Sequence, residues 1–182
     1  LMSSRIAQIW SACALLLAVL CWLGTWQLER RHWKLNLIAT VNRHMAEAPL
    51  SLDQIAGLGP DDAQYRKVIL HGRFDHDKEA YVFATAGEGT AVYHVLTPFR
   101  TDKGKALMVD RGAVPQDRLN PRTRAAGNVK GDTQVTGVWR IPDPPGWFTP
   151  RPDPVKRIWY ARDVAAIAAA DHLALAAPVV IE

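Results

Sequence analysis

One apolar segment near the N-terminus constrains the fold of this chain more than any other feature. Residues 6–26 are predominantly apolar, with Trp10 near one end and Trp22 and Trp26 near the other. A helix needs roughly 20 apolar residues to cross a bilayer, and tryptophans are enriched where it meets the headgroups. We therefore predict a transmembrane helix at 6–26, after a short tail at 1–5. A signal peptide fits less well, because the run is long and no small-x-small cleavage site follows.

The residues after this span continue a helical pattern. Trp33, Leu37, Val41 and Met45 recur every fourth position, and Pro49 ends the pattern. This predicts a juxtamembrane helix at 27–48. Its apolar stripe packs either on the chain's own domain or on a partner helix in the same membrane. The basic residues clustered within it suit anionic lipid headgroups or an acidic partner.

Residues 49–182 read as one strand-rich domain. Alternating segments predict strands near 66–74, 79–84, 92–100, 105–114 and 132–139, with a last strand at 178–181. A hairpin turn is expected at 102–104, and Asp163 is expected to cap a helix at 164–170. The predicted fold class is therefore α+β and membrane-anchored: an N-terminal transmembrane helix followed by a mainly antiparallel β domain with short helices.

The residue types needed for several kinds of catalysis are missing from this domain. It has no cysteine, and its one serine, Ser51, lies outside any Gly-x-Ser-x-Gly motif. No His-Glu-x-x-His helix or phosphate-binding glycine loop occurs. Cys13 and Cys21 lie in the apolar span as packing residues. Copper(I) prefers thiolate or thioether ligands, and the domain offers no cysteine and only the isolated Met45 and Met108, so a copper(I) site is also rejected. We predict a protein that is not an enzyme, has no resident metal and does not bind nucleic acid.

Two histidines are weighed as ligands. His76 lies in Asp75-His76-Asp77 with Glu79 nearby, which suits either an oxygen-rich metal site or a polar turn, and we favour the turn. His32 follows the membrane span, where a lipophilic cofactor would leave the bilayer, and imidazole is a common haem ligand. It is also an ordinary residue for a basic juxtamembrane helix.

Several segments, taken together and in order, resemble the surfeit locus protein 1 family. They cover nearly the whole chain, and the ordered set is more specific than any one member. Among these segments are Gly24–Gln27 with Arg30, Tyr65–Val68 with Gly72 and Phe74, Tyr93–Pro98, Val109–Gly112 with Pro115, and Trp147–Pro150 with Trp159 and Tyr160.

The resemblance implies an assembly factor of haem-copper cytochrome c oxidase. It implies a role in placing haem a into oxidase subunit I, with haem a bound only as a transient ligand. It also implies that other assembly factors and membrane lipid are partners. It also implies a second membrane helix after residue 182. The domain would lie on the periplasmic or intermembrane-space side of a bacterial or mitochondrial inner membrane. Arg and Lys are richer after the span than before it, which by itself would favour the cytoplasm, and we follow the resemblance.

The resemblance also suggests roles for individual residues. Arg111 and Tyr160 could bind haem propionates or partner carboxylates. Alternatively they could be structural residues at turns of the chain, and we favour this alternative. The remaining residues are expected to serve the fold or a partner: Trp26, Gln27, Arg30, Gly72, Phe74, Gly112, Pro115 and Trp159. The alternative function is a membrane-anchored periplasmic binding domain or a stable accessory subunit of a respiratory oxidase.

Overall fold

The chain forms two compact units, residues 1–46 and 47–182. The structure is a computed structural model that describes residues 2–182, without the side chains of residues 2–4, 7 and 88. Leu1, at the start of the predicted tail, lies outside the described residues.

The first unit is one uninterrupted helix, α1, Met2–Ala46. At 1.5 Å per residue its 45 residues extend roughly 67 Å. Within Gln8–Ala46, an 18-residue window has a mean hydropathy of 1.9 and none of it is buried, so α1 is long and apolar enough to cross a membrane. The helix ends shortly before Pro49, because a proline disfavours helical geometry at the residue before it.

The second unit is built mainly from strands. Its elements, in chain order, are β1 Leu50–Ser51, α2 Leu52–Ala56, α3 Pro60–Ala63, β2 Lys67–Phe74, β3 Ala80–Thr85, β4 Ala91–Thr101, β5 Ala106–Pro115, β6 Thr133–Arg140, β7 Ile158–Trp159, α4 Val164–Ala170 and β8 Leu175–Ile181. Short 3-10 turns lie between some of these strands, including Gln116–Arg118 and Pro121–Gly127.

The strands β2, β6, β8, β5 and β4 form a closed barrel. Each pairs with the next, and β4 pairs back with β2. All these pairs are antiparallel except β5–β8, while β1 and β3 extend the sheet beyond the barrel. The predicted fold class, a membrane-anchored α+β chain with a mainly antiparallel domain, is confirmed.

Gly72 is the point at which β2 changes partner. It is paired with Thr133 of β6 and with Thr101 of β4. Its φ is +154°, and a Cβ placed there would lie 2.0 Å from the carbonyl oxygen of Arg100. Only glycine lets the two backbones approach this closely, so Gly72 permits barrel closure.

The core follows the two-residue period of the strands. In β5, Leu107 and Val109 join one buried cluster with Phe99, whereas Met108 joins another with Trp159. Helix α4 supplies Ile167 to this second cluster. Such alternation is expected when both faces of a sheet are covered.

The N-terminus of α4 is fixed by its predicted cap. Asp163 Oδ1 accepts a hydrogen bond from the Ala166 amide at 3.0 Å. The sequence patterns did not predict β1 or α2, although Ser51 and Gln54 form a complete capping box at the start of α2.

Candidate functional site

A buried carboxylate lies at the centre of a largely buried charged cluster. Glu79 directly precedes β3, and its side chain is 2% exposed. Arg111 Nη1 donates to Glu79 Oε1 at 2.6 Å, and Arg124 Nη2 donates to Oε2 at 2.7 Å. Each carboxylate oxygen therefore has its own guanidinium donor, which stabilises the buried charge. We call Glu79, Arg111, Arg124, His76 and Tyr81 the Glu79 cluster.

The two arginines also hold a long loop against the barrel. Arg111 Nη2 donates to the Gly127 carbonyl and, at 3.1 Å, to Asn128 Oδ1. Arg124 Nε donates to the Arg118 carbonyl at 2.8 Å. Loop residues 116–128 carry little apolar side-chain content, so these hydrogen bonds supply much of what positions the loop.

His76 belongs to this cluster. One ring nitrogen, Nε2, lies 2.8 Å from the Val129 carbonyl oxygen, and Nδ1 lies 3.2 Å from Arg111 Nη1. Its ring stacks on Phe74 with centroids 5.5 Å apart. In residues 2–182, as far as they are described, no group of three or more His, Cys, Asp and Glu side chains could hold a metal ion.

Tyr81 closes the cluster on its buried side. Its hydroxyl donates to Glu79 Oε2 at 3.3 Å and lies 3.4 Å from Arg124 Nη2. Burial, followed by the neighbouring Glu79 carboxylate, raises the pKa of Tyr81, and Arg124 only partly opposes this. The phenol therefore stays neutral and keeps donating its hydrogen bond at ordinary pH. Because its charges are paired, the Glu79 cluster is suited to stabilising the fold rather than to nucleophilic catalysis.

The structure brings some of the sequence-predicted residues together. Arg111 Cζ lies 5.5 Å from the centroid of the Phe74 ring. Gly112 follows Arg111 with a φ of +96°, and its amide donates to Asp110 Oδ1 at 2.8 Å. Pro115 ends β5 opposite Val92.

Trp159 and Tyr160 are neighbours in sequence with different environments. Trp159 is 3% exposed in the core, while Tyr160 is 40% exposed. The Tyr160 ring centroid lies 5.9 Å from that of Phe83. Among the contacts of the described residues, none joins Tyr160 to Arg111.

The other predicted residues lie on α1. Arg30 Cζ is 5.5 Å from the Trp26 ring, one helical turn away. Gln27 and His32 are exposed on this helix, as is Trp33. They form a polar and aromatic stretch directly after the most apolar part of α1.

A surface groove of about 620 Å³ was missed by sequence reasoning. Buried Ile55, Trp139 and Val179 lie in its wall, and the exposed Lys103 and Lys105 border it. These residues come from separate elements, so no local motif reveals the groove. Its apolar wall suits an apolar or amphipathic molecule. Lys103 already pairs with Asp53, which lines the same groove.

The groove does not supply a ligand for haem iron. Its lining contains no histidine, cysteine or methionine, which are the usual axial ligands. The groove lining therefore offers apolar contacts and lysine side chains but none of these iron ligands.

An apolar helix able to span a bilayer, followed by a closed β-barrel domain with a paired ionic cluster, defines a class of membrane-anchored barrel proteins. The family model of the SURF1 family matches residues 14–182, which include most of α1 and the whole barrel. The chain belongs to the SURF1 family.

Curated relatives agree with this assignment. Surfeit locus protein 1 of Mus musculus is 38% identical over 163 residues, covering 80% of this chain and 52% of that protein. The Homo sapiens protein of the same name is 37% identical over 164 residues, covering 80% of this chain and 54% of its own. A SURF1-like protein of Drosophila melanogaster is 31% identical over 179 residues, covering 88% of this chain and 57% of that protein. The chain spans about half the length of these relatives.

Proposed function

We propose that this chain is an assembly factor of haem-copper cytochrome c oxidase that binds subunit I and assists insertion of haem a. The observation that carries the proposal is membership of the SURF1 family over residues 14–182, across both the apolar helix and the barrel. The role in oxidase assembly is what resemblance to this family implies.

Binding and handover suit this chain better than bond-making chemistry. The domain has no cysteine and one serine, and the carboxylate of its central cluster is engaged by two arginines. The groove beside α2 offers an apolar surface to a partner or cargo. Helix α1 would keep the domain at the membrane that also holds subunit I.

Haem a, in this proposal, is cargo held briefly. His32 and Tyr160 are exposed and remain candidate contacts for it. Arg111 is a poorer candidate, because its guanidinium already donates to Glu79, Gly127 and Asn128. A propionate would have to displace one of these acceptors.

The location and partners are part of the same proposal. We place the barrel on the periplasmic or intermembrane-space side of the inner membrane, with subunit I and other assembly factors as partners. The alternative function is a stable accessory subunit or an anchored binding domain. In that case the chain would bind the mature oxidase, whereas an assembly factor would bind an intermediate.

Affinity purification of the full chain from mildly solubilised membranes tests this function. The proposal expects subunit I in the eluate, enriched in forms that lack the mature oxidase's full subunit set. Recovery of only the complete, active oxidase would favour the accessory-subunit alternative. Absence of every oxidase subunit, with the chain folded and in the membrane, would contradict both.

The same preparation tests haem handover. Trapping the complex in cells able to make haem a should give a haem a absorption band that copurifies with the chain. A preparation that binds subunit I but stays free of haem a when haem a is supplied would reduce the proposal to scaffolding of subunit I.

A further inference from the structure

A second cavity, of about 240 Å³, has two arginines in its wall. Arg140 ends β6, and Arg162 lies just before α4. Pro145, Gly146 and Thr149 also line the cavity, and they belong to the proline-rich segment 142–156. Asp143 and Glu182 are the acidic residues of the wall.

Arg140 is held in place by an aromatic ring and by an ion pair with Glu182. Its guanidinium carbon lies 4.8 Å from the centroid of the Tyr65 ring, and such stacking fixes a guanidinium plane without using its N–H groups. Its buried Nε has no hydrogen-bond partner, and the side chain forms no hydrogen bond to any described residue. The Glu182 carboxylate lies 3.5 Å from this Nε, beyond normal N–H···O length.

Arg162 is only partly satisfied. Its Nη2 donates to Asp110 Oδ2 at 3.2 Å and lies 3.3 Å from His94 Nδ1. Its buried Nε has no hydrogen-bond partner but lies 3.7 Å from Glu182 Oε1, within ion-pair distance. Two guanidinium groups thus flank one carboxylate, which pairs with both but forms no normal hydrogen bond to either Nε. About a third of each arginine side chain is exposed, so a phosphate could accept hydrogen bonds from the terminal Nη groups while the Nε atoms stay buried.

An exposed aromatic pair lies in the same segment. Trp147 is 88% exposed and Phe148 is 78% exposed, with ring centroids 3.6 Å apart. Val155, further along the segment, is 94% exposed. Tryptophan at such positions is typical of the interface between a bilayer and water. The aromatic pair lies between Gly146 and Thr149, both of which line the arginine cavity.

We propose that segment 142–156 docks on the bilayer, with Trp147 and Phe148 in the interface and Arg140 and Arg162 binding the phosphate of an anionic phospholipid. The guanidinium groups supply the positive charge for such a headgroup, whose phosphate competes with Glu182 and Asp110, already paired with them, and with Asp143 in the same wall. The prolines reduce the entropy lost when the segment docks. Helix α1 tethers the barrel to a membrane and so raises the local concentration of lipid. This docking does not depend on any role in oxidase assembly.

A fluorescent label at Val155 tests the docking in the full chain. Val155→Cys, with Cys13→Ala and Cys21→Ala, leaves one cysteine for a nitrobenzoxadiazole label and keeps both aromatic residues. The labelled chain is reconstituted into phosphatidylcholine vesicles with or without phosphatidylglycerol, each containing brominated lipid as a quencher. We expect quenching in the anionic vesicles and a marked loss of it in the neutral ones.

Variants then separate the two parts of the site. The double variant Trp147→Ala, Phe148→Ala should abolish quenching. Arg140→Gln should make the quenching independent of phosphatidylglycerol. Arg140→Lys, which keeps the charge without the planar fork, should show partial quenching. Arg122→Gln removes an exposed arginine elsewhere and should change nothing. A control label at Val129→Cys should stay unquenched, and near-ultraviolet circular dichroism checks that each variant is folded.

Two results would overturn the proposal. Equal quenching in neutral and anionic vesicles, unchanged by Arg140→Gln, would show that the two arginines do not bind a lipid phosphate. Absence of quenching at Val155 would show that segment 142–156 does not dock on the bilayer. If inorganic phosphate stabilised the chain through Arg140 while quenching stayed absent, the cavity would bind a soluble anion and not a lipid.

Discussion

Arg111 and Glu79 are 32 positions apart in sequence, and Arg111 Nη1 donates to Glu79 Oε1 at 2.6 Å. The side chains are 14% and 2% exposed, so this ion pair is largely removed from water. It joins β5 to the residue before β3, and Arg124 adds the loop 116–128 to the same carboxylate. The pair therefore accounts for Arg111 as a structural residue more directly than as a contact for cargo.

Removing the Glu79 charge should destabilise the barrel strongly. Glu79→Gln leaves two arginines without their carboxylate, and breaking a buried pair from one side costs about 3–5 kcal/mol. Chemical unfolding of the detergent-solubilised full chain, followed by near-ultraviolet circular dichroism, measures the loss. Asp53→Asn is the control, because its pair with Lys103 is exposed and is worth less than about 1 kcal/mol. Equal losses for the two variants would show that the cluster does not hold the fold.

The raised pKa of Tyr81 predicts a loss of stability in alkaline solution. In the unfolded chain the phenol ionises near pH 10.0, whereas in the fold burial keeps it protonated to higher pH. Its contribution is therefore fully present below pH 10.0 and is lost as pH rises through the folded pKa. Unfolding free energies measured across this window should fall less steeply for Tyr81→Phe than for the parent chain. Identical slopes for the two proteins would contradict the prediction.

Gly72 should tolerate alanine poorly. Its Cβ would overlap the Arg100 carbonyl, whereas Gly104, with a φ of +80°, has open space around it. Gly104→Ala should cost about 1–2 kcal/mol from backbone strain alone. Gly72→Ala should cost about 1–3 kcal/mol more, because the paired strands must also move apart. The same unfolding assay compares them, and similar losses would argue against close approach at Gly72.

Two tryptophans should differ sharply when truncated. Trp159→Ala empties a core position that is 3% exposed and should cost about 3–5 kcal/mol. Trp147→Ala removes a side chain that is 88% exposed and should change the unfolding free energy by less than about 0.5 kcal/mol. If Trp147→Ala proved as destabilising as Trp159→Ala, segment 142–156 would be part of the core and not a docking surface.

Local sequence patterns were sufficient to predict the elements that depend on contacts between neighbouring residues. The Asp163 cap, the helix it begins and the turn at 102–104 depend on a few adjacent residues, and all are present. Strand β8 begins at Leu175, before the predicted 178–181. The prediction missed its first residues because Ala176 and Ala177 have little intrinsic strand preference.

Barrel closure and the site depend on contacts between distant residues. The pairing of β2 with both β6 and β4, and the placement of β8 between β5 and β6, involve registers that no single segment encodes. Arg111 was recognised from its motif, but Glu79 was interpreted as the start of a strand beside a polar turn and not as the centre of a buried ionic cluster. The apolar groove and the arginine cavity are likewise formed by residues far apart in sequence.

The central claim, a role in haem a insertion, is tested most directly in cells that lack this gene. A reduced-minus-oxidised absorption spectrum of their membranes, with an immunoblot for oxidase subunit I, reports cofactor and subunit separately. The account predicts that the haem a bands fall while subunit I persists, and that the intact gene restores them. Unchanged haem a bands and oxidase activity, in cells with no second family member, would contradict it.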